Sequence, residues 1–208
     1  DVAISNPTSN VSIIPLLGVR DMSVADLDGD GDGDIVAIKV NSGELKWFEN
    51  RGPGLPFGPS QLIDNQADVN GIGSVELADL DGDGLVDVLS GQTVSNAKAI
   101  YWYRNLGSGS FSPRQTISGV GDPGIDVGVG DLNLDGHIDV VSADWVGVSW
   151  FAGDGTGVFG PRTQLTSQMF GRREIRVVDM DNDGDLDIIA GSTNGSISLE
   201  VYRNETLA

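Results

Sequence analysis

One short pattern returns four times along the chain and limits what it can fold into: Asp26-Leu-Asp-Gly-Asp-Gly, Asp79-Leu-Asp-Gly-Asp-Gly, Asp131-Leu-Asn-Leu-Asp-Gly and Asp179-Met-Asp-Asn-Asp-Gly. Their first residues stand 53, 52 and 48 positions apart. Self-similarity with a period near 50 residues marks architectures that stack one supersecondary unit on the next, such as solenoids and propellers. The 208 residues therefore read as one array of four units in a single domain, 1–208.

The surroundings repeat as well. Before each loop runs a short stretch of apolar alternation: Met22-Ser-Val-Ala, Val75-Glu-Leu-Ala, Val127-Gly-Val-Gly and Ile175-Arg-Val-Val. After each loop comes an aliphatic run: Ile35-Val-Ala-Ile, Val88-Leu, Val140-Val and Ile188-Ile-Ala. A third element carries the pairs Trp47-Phe48, Trp102-Tyr103, Trp150-Phe151 and Val201-Tyr202, with Asn50, Asn105 and Asn204 just beyond in three copies. Glycine-rich turns ending in Phe57-Gly-Pro59, Phe111-Ser-Pro113 and Phe159-Gly-Pro161 lead into a last stretch at Gln61, Gln115 and Gln164. Each unit thus reads as four short strands without helical periodicity. The expected fold is all-β, a β-propeller of four four-stranded blades. The repeats are expected over 18–64, 71–118, 123–167 and 171–208. The fourth stops after its third strand, and the stretch 10–17, with Asn10-Val-Ser-Ile-Ile, is expected to complete the last blade and close the ring, removing an exposed edge.

Numbered from its first Asp, each loop presents oxygen donors at positions 1, 3, 5 and 9. These are Asp26, Asp28, Asp30 and Asp34; Asp79, Asp81, Asp83 and Asp87; Asp131, Asn133, Asp135 and Asp139; and Asp179, Asp181, Asp183 and Asp187. Position 6 is always glycine, and position 7 varies among Asp32, Leu85, His137 and Asp185. Calcium explains the pattern: a hard cation takes six to eight oxygens at about 2.3–2.6 Å, glycine permits the sharp turn, and a backbone carbonyl ligand leaves position 7 free to vary. About four calcium ions per chain are expected. Magnesium prefers a tight octahedron with several waters. Zinc is disfavoured in a chain with no cysteine and one histidine, and His137, inside a loop, reads as a solvent-facing side chain. An EF-hand would need a helix and a Glu at position 12, where Ala37, Ser90, Ser142 and Ala190 stand.

The formal charge of −19 disfavours nucleic acid as a partner. No apolar run is long enough to span a membrane. Extracellular calcium would fill even weak sites, so a secreted or cell-surface location is expected, and a chain beginning at Asp1 is compatible with a leader already removed. A binding module for glycans or extracellular proteins is the leading function. Trp47, Trp102 and Trp150 share one repeat position and are expected to pack between blades, whereas Trp145 falls outside the register and is the candidate ligand contact. No catalytic constellation is recognisable; a polysaccharide lyase or hydrolase and a purely structural repeat unit are the alternatives. Arg172, Arg173, Glu174 and Arg176 form a local charged cluster, read as a charged loop rather than an anion site.

The run Val24-Ala-Asp-Leu-Asp-Gly-Asp-Gly-Asp-Gly-Asp-Ile-Val, with Trp47-Phe-Glu-Asn and a Gly-x-Phe turn downstream, resembles the FG-GAP/VCBS repeat. Such repeats build the propeller of integrin α subunits and of many bacterial secreted proteins. The resemblance spans about residues 10–208. It implies calcium held in the hairpin loop between the first two strands of each blade, by the positions named above. Members include adhesion receptors, sugar-binding proteins and domains attached to polysaccharide-degrading enzymes. Family propellers commonly have seven blades, whereas this chain supplies four; a small closed monomer is favoured, with a homodimer forming a larger ring, or a fragment of a larger protein, as the alternatives.

Overall fold

The computed structural model describes residues 16–39, 42–53, 55–65, 73–93, 98–117, 126–143, 147–165, 173–192 and 199–206. Within them lie four antiparallel sheets and no helix. The first sheet runs β1 (Val19–Ala25), β2 (Asp34–Lys39), β3 (Glu44–Phe48), β4 (Gln61–Asn65), and the second β5 (Gly73–Ala78), β6 (Asp87–Thr93), β7 (Lys98–Tyr103), β8 (Gln115–Thr116). The third holds β9 (Asp126–Gly130), β10 (Asp139–Ala143), β11 (Val148–Phe151), β12 (Thr163–Gln164). The fourth holds β13 (Arg173–Val178), β14 (Asp187–Ser192) and β15 (Leu199–Tyr202). Each repeat is a meander whose strands pair in chain order. Of the stretch 10–17 expected to add a fourth strand to the last sheet, residues 10–15 lie outside the described residues, as does Trp145, while Leu16 and Leu17 are described and join no strand.

Burial explains the aliphatic runs after each loop. In the second and third sheets the second strand is covered on both faces, so consecutive residues serve different neighbours. On β6, Val88 joins the core shared with the first sheet, and Leu89 joins the core shared with the third. On β10, Val140 faces the second sheet's core and Val141 the fourth's. A strand buried on both faces reads as a continuous apolar run rather than as alternation.

Neighbouring sheets also interlock through polar groups. Asp21 accepts the N–H of Val75 at 2.9 Å, Ser74 that of Val127 at 3.1 Å, and Asp126 that of Ile175 at 2.6 Å. The residue five before each loop thus holds the backbone of the next repeat's first strand. Glu174 occupies the same place in the fourth repeat.

The side chains before the loops share one polar cavity of about 360 Å³ that draws residues from β1, β5, β9 and β13. Asp21, Glu76, Asp126 and Glu174 line it with Arg20 and Arg176. Burial, then the charges of Asp126 and Asp21, push Glu76 up to about 7, against a downward pull from Arg176. The arginine-rich cluster expected as a charged loop lies instead in a strand: Arg173, Glu174 and Arg176 belong to β13, Arg176 pairs with Glu174 at 2.7 Å, and Arg172 lies outside the described residues. Carboxylates surround Arg176 in the cavity, so it does not form an anion patch.

Candidate metal centres

The four Asp-rich loops connect the first and second strands of each sheet. They leave the ladder at Ala25, Ala78, Gly130 and Val178 and return at Asp34, Asp87, Asp139 and Asp187, which pair directly across it. The position-1 carboxylate curls each loop around itself. Asp26 accepts N–H bonds from Gly29 and Gly31, Asp79 from Asp83 and Gly84, Asp131 from Asp135 and Gly136, and Asp179 from Asn182 and Gly184. The curl needs left-handed backbone twice. Position 6 is glycine at φ of 92°, 87°, 86° and 98° through the four loops. Position 4 is glycine in the first two loops, but Leu134 (φ 59°) and Asn182 (φ 63°) hold the same conformation in the others. For Leu134 that costs about 1 kcal/mol.

This backbone brings the oxygens of positions 1, 3 and 9 together. In the triads Asp26–Asp28–Asp34, Asp79–Asp81–Asp87 and Asp179–Asp181–Asp187, one carboxylate oxygen from each residue lies within 4.8 Å of the others. The third loop has Asn133 at position 3, an amide oxygen in place of a carboxylate. These three carboxylate triads can hold a metal ion. The donors are all oxygens, which suits a hard cation. Crowding them is unfavourable without one: burial and the neighbouring charges of Asp34, Asp30 and Asp26 push Asp28 up, with the N–H of Asp30 pulling back. Asp181 is raised by burial and by Asp183, Asp187 and Asp179.

Position 5 stands outside the triads. Asp30, Asp83, Asp135 and Asp183 each accept the N–H of the position-7 residue, namely Asp32, Leu85, His137 and Asp185, at 2.9–3.1 Å. The His137 side chain is exposed and lies against Gly155.

Position 9 has a second duty that the sequence pattern did not reveal. Asp34, Asp87, Asp139 and Asp187 are 0%, 0%, 0% and 1% exposed. One oxygen of each accepts the N–H of loop position 2, at Leu27, Leu80, Leu132 and Met180. The other accepts the N–H of Asn50, Asn105, Gly153 or Asn204, just past the third strand. Burial pushes Asp87 up to about 6, while the N–H groups of Asn105 and Leu80 pull it back. The same causes raise Asp139.

Two further roles carried little sequence signal. The Asn105 amide donates to the carbonyls of Leu27 and Val86, and that of Asn204 to Leu132 and Leu186, so each ties its own loop to that of the preceding repeat. The recurrence of Asn at this post was visible, but its partner was not. Arg104, one residue earlier, reaches Asp81 at 2.6 Å and Asp83 at 2.9 Å, so a guanidinium stands beside the second triad.

The tryptophans divide into two environments. Trp47 is 3% and Trp102 4% exposed, each under the glycine turn of the following repeat, as the sequence led one to expect. A Cβ on Gly109 would come within 2.0 Å of the Trp47 ring, and one on Gly157 within 2.1 Å of Trp102. Trp150 is only partly buried and lines an open, mostly apolar cleft of about 390 Å³ with Leu132, Leu165, Leu186, Ile188 and Tyr202.

Antiparallel repeats of three or four strands with an aspartate loop in each first hairpin define a class of β-repeat protein. The FG-GAP-like repeat model matches residues 26–90, 79–142 and 131–190, and the chain belongs to that family. No curated protein matches the sequence. Among solved structures, it is similar to an Agrocybe aegerita lectin described as recognising non-reducing terminal N-acetylglucosamine (23% identity, TM-score 0.60) over 88% of this chain and 52% of that one. The Photorhabdus luminescens Tc holotoxin pore is similar at 17% identity and TM-score 0.56, over 89% of this chain and 9% of that one. The Vibrio cholerae biofilm matrix protein Bap1 is similar at 19% identity and TM-score 0.53, over 89% and 27%. These likenesses concern the fold, and the chain spans about half or less of each structure. No helix among the described residues is long and apolar enough to cross a membrane.

Proposed function

We propose that the chain is a calcium-stapled β-propeller domain, 1–208, that serves as a binding module outside the cell, with glycans as its ligand class. The observation that carries the calcium reading is the recurrence of the carboxylate triad, in one register, in three repeats. Two oxygens on opposite sides of a calcium ion stand at most about 5 Å apart, and the triads meet that bound. Asn133 keeps an oxygen in the third loop at lower charge. Positions 1, 3 and 9 supply the side-chain ligands, positions 5 and 7 complete the shell, and calcium neutralises the crowded carboxylates. In this reading the sheets are blades, and the stretch 10–17 supplies the strand missing from the fourth.

The glycan reading draws on the open cleft. Trp150 and Tyr202 offer aromatic faces to the apolar side of a sugar ring, and Asn133, Arg203 and Thr206 offer polar groups beside them. The lectin among the similar structures agrees with this class. The module has no catalytic role, and turnover of a polysaccharide by the purified chain would overturn that part. A glycan array read in calcium, with Trp150→Ala and Trp145→Ala as separate controls, tests the ligand class. Binding lost with Trp150→Ala supports the cleft, loss only with Trp145→Ala moves the site, and no binding to any sugar refutes the glycan reading.

A further inference from the structure

The junction between the second and third repeats is built differently from the junctions on either side of it. At those two, the N–H that crosses the junction meets a carboxylate: Asp21 holds Val75, and Asp126 holds Ile175. Between the second and third repeats the acceptor is the neutral hydroxyl of Ser74, on the N–H of Val127 at 3.1 Å. A bond to an ionised acceptor is the stronger kind. The asparagine tie between loops is missing as well. Asn105 ties the second repeat to the carbonyl of Leu27, and Asn204 ties the fourth to that of Leu132. Gly153 holds the same post in the third repeat, with its N–H on Asp139, and offers no side chain to the second. None fits there, because a Cβ at Gly153 would come within 2.1 Å of the carbonyl oxygen of Ile138.

In place of these ties, two carboxyl groups meet across this junction. Glu76 of β5 and Asp126 of β9 line the polar cavity from its two sides. Asp126 accepts the N–H of Ile175 and the hydroxyl of Ser74, and both donors hold its charge. Glu76 has the N–H of Leu77 beside it and is half-buried, so the proton falls to Glu76. The other charged groups on the cavity are Arg20 and Asp21 on β1 and Glu174 and Arg176 on β13, and Arg176 is paired with Glu174. Among the described residues, carboxylates outnumber guanidiniums around Glu76.

We propose that this junction is a proton-operated joint, closed along the cavity while Glu76 carries a proton and loosened there when Glu76 ionises against Asp126. Leu89, Trp102 and Val140 share one apolar core at the same junction, on strands away from the cavity, and act as the pivot. The first two repeats and the last two then move as units about it. Glu76 rises from 4.5 to about 7 in the closed form, so closure is favoured at lower pH and that bias is lost as pH rises through about 7. Neither calcium nor a glycan enters this device.

Amide hydrogen exchange read residue by residue, at one fixed calcium concentration, tests the joint. Protection factors remove the intrinsic pH dependence of exchange. If opening returns Glu76 from about 7 to 4.5, the joint opens about tenfold more readily at pH 8 than at pH 6. The protection of the Val127 N–H is expected to fall by that factor, while Val75 and Ile175, at the neighbouring junctions, keep theirs. Glu76→Gln, neutral and of similar size, is expected to leave Val127 equally protected at both pH values, with Val75 reporting that the variant is folded. Carbon-13 NMR of the Glu76 carboxyl in the unmodified chain follows its titration independently. Unchanged protection of Val127 between pH 6 and 8, a fall of equal size at all three amides, the same fall in Glu76→Gln, or a Glu76 carboxyl fully ionised by pH 6 would overturn the inference.

Discussion

The first and second loops have nearly the same sequence and the same curled backbone, yet they neutralise their carboxylates differently. In the second, Arg104 contacts Asp81 and Asp83. In the first, Glu49 holds the equivalent place and pairs with Arg51 instead, and no guanidinium among the described residues pairs with Asp26, Asp28, Asp30, Asp32 or Asp34. The cavity side differs too: Ser23 in the first repeat corresponds to the half-buried Glu76 in the second. One backbone therefore tolerates two electrostatic solutions. What is common to both, the buried position-9 carboxylate with two backbone donors, belongs to folding as much as to metal binding.

The largest expected effect separates those two duties. Asp87→Ala leaves the N–H groups of Leu80 and Asn105 unpaired, and it should cost about 3 kcal/mol even in excess chelator. Asp81→Ala should cost little in chelator yet remove cation binding at the second loop. Urea melts of both variants with and without calcium check this; equal losses in chelator would erase the distinction.

Next in size is the pH dependence of Glu76. Its ordinary value of 4.5 rises to about 7 in the fold, so between these values the folded chain binds more protons than the unfolded one. Stability from this group is full below about 4.5 and is lost as pH rises through about 7, by about 2 kcal/mol after allowing for partial solvent screening. Glu76→Gln should remove that slope in chelator; an unchanged slope between pH 5 and 8 would show that the cavity does not hold the proton. Calcium binding acts in the opposite sense, because its ligands must be ionised.

A smaller effect tests the guanidinium. Arg104→Ala should raise calcium affinity at the second loop several-fold, and Glu49→Arg should lower it at the first by a similar factor. Site-resolved titration by NMR of the loop glycines distinguishes them. The smallest concerns position 4, glycine in both of these loops. Leu134→Gly should stabilise the third by about 1 kcal/mol or less, because relieving the left-handed leucine is offset by greater freedom in the unfolded chain.

Much of this arrangement was legible in the sequence. The period, the meander of each repeat and the location of the loops in the first hairpins follow from spacing and turn chemistry. The EF-hand was set aside because Ala37 and Ser90 follow the loops, and they lie in strands. Contacts between repeats were not legible. Asp34 and Asp87 read in the sequence only as further oxygen donors of their loops, and only the fold reveals their burial and their backbone donors. Asn105 repeats visibly, but its carbonyl partner lies 78 residues away. Arg104 has Glu49, Ala152 and Arg203 as counterparts, so no pattern announced it.

The central claim is that the loops bind calcium. Calorimetric titration of the metal-stripped chain tests it most directly, read alongside melting in calcium and in chelator. The account predicts uptake of about four ions per chain, with each site adding about 2.7 kcal/mol of stability at one hundred times its Kd. No heat of binding, with a melting curve indifferent to calcium and chelator, would contradict it.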